Sequence, residues 1–402
     1  MTCAEEMTNS IREKCRGRRL VVWGTGKDAV KTTCALREQG LEVVMYTTGS
    51  GSICVNSFMG KEILPAAECL ECKDIFYVVA VRDVFWQEVK GRLMAAGLKE
   101  FEDFVFWKML DRSHKMVMLH GNCHLDVVEN YLLSSSEFAS KYWIYPYKRV
   151  CDMGDIRRFE KAISLTDVWV YQPIRPENSI CYEVSDEYTH PLLKKDVVKI
   201  SVPNYYHMGK ILFPQTAINN PHNPPLSEGR DGNGMFPRSD KVIDRWVADH
   251  PDGLEFDELV EYCLSDDAID ESEIKENSRF LSEKILEKDR DCDVKVSQYI
   301  LDNLAKEQMF YDLGHPTNAV LKKIAQGVLS ALGVEDTKEI SCTDRLCYHE
   351  DPIYPCVMKA LGLKWEQRWI RDTEISKKIK SRMDFKEYVR EYLFWCYGIG
   401  QC

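Results

Sequence analysis

Met116-Val-Met-Leu-His120-Gly121-Asn122-Cys123-His124 reads as a short apolar strand that stops at a glycine and turns directly into a helix running to about Leu133. A strand that halts at Gly-x-Cys places the thiol at the carboxyl edge of a sheet, where open α/β sheets bind their ligands. The helix start adds unpaired backbone N–H groups and a partial positive charge. Both favour thiolate over thiol, and the N–H groups of residues 122–124 suit an oxyanion or a phosphate. The plainer reading is a small buried structural cysteine, the commoner fate of a thiol after a strand.

Working outward, Asp167–Tyr171 and Val197–Val202 are further short apolar strands. Upstream, Leu20–Trp23, Leu41–Tyr46 and Ile75–Val81 alternate with helical stretches ending near Gln39 and Ala96, which implies a parallel sheet. The expected class is α/β: two parallel-sheet domains, 1–112 and 113–335, then a mainly helical extension over 336–402. Residues 203–237 are rich in Pro, Asn, Gly and aromatics and read as a functional loop or lid. Helical patterns follow at Phe256–Leu264, Ser272–Lys288, Val294–Gln308 and Thr317–Leu332, and a last one at Phe385–Trp395.

At 402 residues the chain is too long for one ordinary core. Its net charge of −11 argues against nucleic-acid partners, because there is no cationic surplus to neutralise phosphates. No stretch approaches the apolar length of a membrane span, and Met1-Thr-Cys-Ala-Glu-Glu lacks a signal-peptide pattern, so a cytoplasmic location is expected. The sixteen cysteines are scattered. Cys69-x-x-Cys72 has no second pair, and Cys342, Cys347, His349 and Cys356 match no ligand spacing, so no metal is expected.

A second chemical element lies far downstream. Asp312-Leu-Gly-His315-Pro-Thr317 puts a carboxylate three residues before an imidazole, just ahead of a helix. The carboxylate can orient the ring and the ring can serve as base to a nucleophile elsewhere. Alone, such a motif is often just a capping turn. Paired with Cys123, it completes a nucleophile, base and orienter. Gln172 and Asn204 follow apolar strands and are candidate oxyanion or substrate donors beside Gly121, Asn122 and His124; His120 reads as a packed strand residue. Tyr205, Tyr206 and His207 are candidates to stack on a ring, with packing as the alternative.

The arrangement resembles the SGNH (GDSL-type) hydrolase layout, with Cys for Ser and Asn for Asp in the first block. The three-layer α/β/α order of that class is therefore the expectation for 113–335. Gly121-Asn-Cys-His, Tyr171-Gln-Pro-Ile174 and Gly314-His-Pro-Thr317 more closely resemble the WcbI family of capsular polysaccharide biosynthesis proteins, over about Met116 to Gly333. That resemblance implies coenzyme A or acyl-coenzyme A as cofactor and acyl transfer to a surface polysaccharide or its sugar-nucleotide precursor. It implies as partners a second copy of the chain or other polysaccharide-assembly enzymes. Cations for the coenzyme's phosphates would come from Lys148, Arg149, Arg157, Arg158, Arg175 and Lys210, with Thr317 as a further contact. Two other readings stay open: a glycan acyl-esterase, or a module that binds coenzyme A or a sugar nucleotide without chemistry.

Gly24-Thr-Gly26-Lys-Asp-Ala29 after a buried strand fits the dinucleotide pattern G-x-G-x-x-A. The next strand ends Met45-Tyr-Thr-Thr48, without the acidic residue that would bind a ribose, which argues against NAD. The segment, including its ending Gly97–Phe104, resembles the Rossmann-like domains appended to bacterial sugar-modifying enzymes and glycosyltransferases.

Overall fold

A computed structural model describes residues 3–49, 56–146, 150, 156–217, 221, 238–251, 253–335, 340–342, 346, 350–367 and 383–399. The chain falls into two compact units, the first made of Met1–Leu119, Ala139–Trp169 and Ile174–Lys199, the second of His120–Phe138, Val170–Pro173 and Ile200–Cys402.

The first unit carries a six-stranded sheet formed by β1 (Arg19–Trp23), β2 (Met45–Thr48), β3 (Ser57–Phe58), β4 (Lys61–Pro65), β5 (Ile75–Val79) and β6 (Phe104–Phe106), in the order β3-β4-β2-β1-β5-β6. All described pairings are parallel except β3 with β4. The helices α1 (Cys3–Lys14), α2 (Lys27–Glu38), α3 (Ala66–Glu71) and α4 (Asp83–Ala95) accompany it. The sequence reading did not anticipate α1, although Ala4, Met7 and Ile11 form a buried stripe at helical spacing. The strand expected to start at Leu41 begins at Met45. Gly40 sits at φ +71° and the Leu41 N–H returns to the Leu36 carbonyl, so the start of the 41–44 segment finishes the α2 cap. Gly24, at φ +133°, has a packing role, since a Cβ there would lie 2.3 Å from the Ala80 carbonyl oxygen.

A four-stranded sheet follows: β7 (Lys115–His120), β8 (Tyr142–Ile144), β9 (Val168–Tyr171) and β10 (Val198–Ser201), in the order β10-β9-β7-β8. Its helical connections are α5 (Cys123–Ser134), α6 (Ser136–Lys141), α7 (Glu160–Leu165) and α8 (Asp186–Thr189). In the second unit the Gln172 N–H donates to the His120 carbonyl and the Val202 N–H to that of Tyr171, at 2.9 and 2.8 Å. These bonds hold the strand ends, and the loops after them, in register.

The rest of the second unit is mainly helical: a hairpin of β11 (Thr216–Ala217) and β12 (Ser239–Asp240), then α9 (Lys241–Asp249), α10 (Phe256–Leu264), α11 (Glu271–Lys288), α12 (Ser297–Asn303), α13 (Asn318–Ala331), α14 (Pro355–Ala360) and α15 (Phe385–Tyr397). The helix expected over Val294–Gln308 is shorter, because the Asp289 carboxylate accepts the N–H groups of Val296 and Ser297 at 2.6 and 2.7 Å and fixes where it starts. Much of the expected 203–237 loop, namely 218–220 and 222–237, lies outside the described residues. Helix α15 opens with a capping box between Asp384 and Glu387 and buries Tyr388, Val389, Tyr392 and Leu393. Asp240, fully buried, accepts from the Tyr354 hydroxyl at 3.0 Å and that of Tyr388 at 3.3 Å, while its own N–H donates to Tyr392 at 2.9 Å.

Candidate active site

The site stands where two helices of the second unit begin side by side. Helix α5 packs on α13, and Cys123 is the first residue of one while Thr317 caps the other. Gly121 makes the turn before α5 possible, since a Cβ there would come within 2.5 Å of Gln172 Oε1 and 2.7 Å of Leu125 Cδ1. Asn122 caps the helix by accepting the His124 N–H at 3.0 Å. Its amide nitrogen donates to Asn204 Oδ1 at 3.1 Å, and that oxygen also accepts the Tyr206 N–H at 3.0 Å.

The turn before α13 is organised by one carboxylate. Asp312 Oδ1 accepts the N–H groups of Gly314 and His315 at 2.6 and 2.9 Å, while Oδ2 holds His315 Nδ1 at 2.7 Å. The Asp-x-x-His spacing thus serves both readings at once, as a capping turn and as an oriented imidazole. With Nδ1 so occupied, Nε2 is the nitrogen left for the Cys123 thiol, which also hydrogen-bonds the His315 ring. Burial alone would lower the pKa of His315. The hydrogen bonds to Asp312 and Cys123 outweigh it and push the group up to about 9, so the ring is protonated at neutral pH.

His124 behaves in the opposite way. It is fully buried and donates from Nε2 to the Gly314 carbonyl at 2.8 Å, which ties the start of α5 to the turn before α13. Burial drives its pKa down to about 4, so it stays neutral. Two charged residues absent from the sequence reading complete the shell. Arg238 bridges Asp312 and Asp351, each at 3.1 Å, and Asp351 also accepts the Leu313 N–H at 3.2 Å. Gly209 passes so close under the turn that a Cβ would sit 2.0 Å from the Asp312 carbonyl oxygen.

The structure therefore brings Gly121, Asn122, Cys123, His124, Gln172, Asn204, Asp312 and His315 together. It also changes several assignments. The Asn122 N–H donates to Gln172 Oε1 at 2.9 Å and the His124 N–H to Asn122 Oδ1 at 3.0 Å, so two of the three N–H groups expected at an oxyanion are held internally. Gln172 is 1% exposed and bridges the Asn122 N–H to the neighbourhood of the Pro203 carbonyl, a scaffold role. The Thr317 hydroxyl donates to the Gln308 carbonyl at 3.0 Å and is part of the turn instead of facing a cofactor. Tyr205 is buried against Asp289 and Ser297, so it packs; Tyr206 is exposed at the edge of the site, under Gly314. Lys210 belongs to the second unit, whereas Arg157, Arg158 and Arg175, with Gly24 and Gly26, belong to the first. Lys148 and Arg149 lie outside the described residues, as do Cys347 and His349. Among the described residues there is no group of three or more His, Cys, Asp or Glu side chains that could hold a metal ion, and no helix is long and apolar enough to cross a membrane.

A parallel-rich α/β protein with a thiol, an imidazole and a carboxylate at adjoining helix starts is the class that fold and site define. The profile of the family described as "Polysaccharide biosynthesis enzyme WcbI" matches residues 116–337, just over half of the chain, and the chain belongs to that family. Among solved structures, that of WcbI, described as a novel polysaccharide biosynthesis enzyme in its native form without a disulfide bond between coenzyme A and one of its cysteines, is similar in fold. It shares 18% identity at a TM-score of 0.57, over 70% of this chain and 89% of the other. No curated protein matches the chain.

Proposed function

We propose that the protein is a coenzyme A-dependent acyltransferase acting on a surface polysaccharide or its sugar precursor, with Cys123 as nucleophile, His315 as proton carrier and Asp312 as orienter. The observation that carries this reading is the His315 ring held by Asp312 on one nitrogen and hydrogen-bonded to the Cys123 thiol. The family's role in polysaccharide biosynthesis and the coenzyme A named with the solved WcbI structure support the sugar acceptor and the acyl carrier. Free cysteines fit action in the reducing cytoplasm.

Acyl-coenzyme A would supply the acyl group as a thioester. The nucleophile is the Cys123 thiolate, facing the protonated His315. Its sulfur bonds to the acyl carbon while the thioester C–S bond breaks and the departing sulfur takes the proton from His315. In the second half the acceptor hydroxyl yields its proton to His315 as its oxygen bonds to the acyl carbon, and the Cys123 thiolate leaves. The Cys123 N–H and the Asn204 amide are the donors for the oxyanion of each addition.

The test is incubation with acetyl-coenzyme A followed by intact-mass measurement. A single acetyl adduct on the wild type that is absent from Cys123→Ser is the expected result. A chain that neither binds coenzyme A nor acquires an adduct refutes the proposal; steady hydrolysis of simple esters without coenzyme A favours an esterase instead.

A further inference from the structure

The chain beyond residue 337 lies outside the family-matched segment, yet one of its carboxylates reaches the Cys123 site. Asp351 is 4% exposed and stands in the 350–354 stretch, which is buried throughout although it is neither helix nor strand. Its backbone is pinned from several sides. The Asp351 N–H donates to the Tyr311 carbonyl at 2.9 Å, Gln367 Nε2 donates to the Asp351 carbonyl at 2.9 Å, and Gln215 Nε2 donates to that of Pro352 at 2.8 Å. Three residues on, the Tyr354 hydroxyl donates to Asp240, which the Tyr388 hydroxyl of α15 also reaches.

The carboxylate delivered in this way does two things. Its Oδ2 accepts the Leu313 N–H at 3.2 Å and takes Arg238 at 3.1 Å, and the same guanidinium lies 3.1 Å from Asp312 Oδ1. Between them the two carboxylates hold the N–H groups of Leu313, Gly314 and His315, so the turn that carries the imidazole hangs on both. Burying a second carboxylate is costly, and an apolar side chain of similar size would serve stability as well. Stability alone therefore does not account for it. A guanidinium divided between two carboxylates leaves Asp312 more of its negative charge for His315 than one held by Asp312 alone.

We propose that Asp351 is a positioning residue of the reaction, acting through Arg238 and the 312–315 turn to set the charge and aim of Asp312 on His315. The chain beyond residue 337 is then a working part of the site. This assignment rests on the acyl-transfer reading. Among the described residues, the groups facing His315 are Asp312, the Cys123 thiol and the His124 ring, with Arg238 and Asp351 behind Asp312 and Tyr206 beside Arg238.

The test uses the full chain. Asp351→Asn keeps the size of the side chain and an oxygen for the Leu313 N–H but removes the charge. Acetylation of Cys123 by acetyl-coenzyme A, followed over time by intact mass, is expected to slow roughly tenfold to a hundredfold. The NMR titration midpoint of the His315 ring is expected to fall by about one unit, because the whole guanidinium charge then bears on Asp312. In Asp351→Asn/Arg238→Gln both charges are gone, so the midpoint should return toward the wild-type value, and the second change should slow acetylation no further. Damage to the fold would accumulate instead of cancelling, and circular dichroism checks that both variants are folded. An unchanged midpoint or rate in Asp351→Asn, or effects that simply add in the double variant, overturns the assignment. Should the wild type take no acetyl group, acyl transfer is refuted and the rate comparison falls with it, while the midpoints still uphold or overturn the hold of Asp351 on His315.

Discussion

His315 titrates against the grain of its burial, and the sign of the effect can be worked out. Its folded pKa, about 9, lies above the ordinary value of 6.5. The stabilisation is therefore fully present below about pH 6.5 and lost as pH rises through about 9, worth roughly 3 kcal/mol at most over that window. Urea unfolding between pH 6 and 10 should show this loss. Asp312→Asn should flatten the profile and bring the ring's NMR titration midpoint down by at least two units. Arg238→Ala is expected to destabilise by about 3 kcal/mol, because it leaves Asp351 and Asp312 buried with fewer counter-charges; a control Arg238→Lys should recover part of it. Cys123, His315 and Asp312 were legible in the sequence because the nucleophile turn and the Asp-x-x-His turn are local patterns. Arg238 and Asp351 were not, since their partners lie far along the chain and nothing in their own neighbourhoods signals them.

At the level of elements, the site depends on how closely backbones approach. Gly209→Ala would drive a methyl into the Asp312 carbonyl, and neither partner is a flexible side-chain end. The expected outcome is loss of most coenzyme A-dependent acylation together with a lower thermal midpoint, read by intact mass and by calorimetry. Asn122→Ala removes a cap and the bridge to Asn204; about 1 kcal/mol of stability should go with it in denaturant titration. Strong periodicity made α10 legible to the residue and α11, α13 and α15 nearly so. Strand β2 was misplaced because Leu41 and Val43 are buried without pairing: apolar character reports burial, and a helix cap buries residues as a strand does. The hairpin of β3 and β4 has too little alternation to announce itself.

For the whole molecule, the first unit gathers residues from both sides of the family-matched boundary. Trp143 meets Phe106 with ring centroids 6.1 Å apart, the Tyr145 hydroxyl donates to Glu100 at 2.9 Å, and Lys161 pairs with Glu6. A fragment of residues 113–402 would present those aromatic surfaces to water. It is expected to unfold several degrees below the full chain and to bind a hydrophobic dye, both measurable in one thermal scan. Local periodicity could not record this interleaving, since where a strand end belongs depends on what packs beside it.

Trp143 and Tyr145 therefore tie the family-matched segment to the chain that precedes it: any exchange of that leading segment for another would have to bring a new ring for Trp143 and a new acceptor for the Tyr145 hydroxyl.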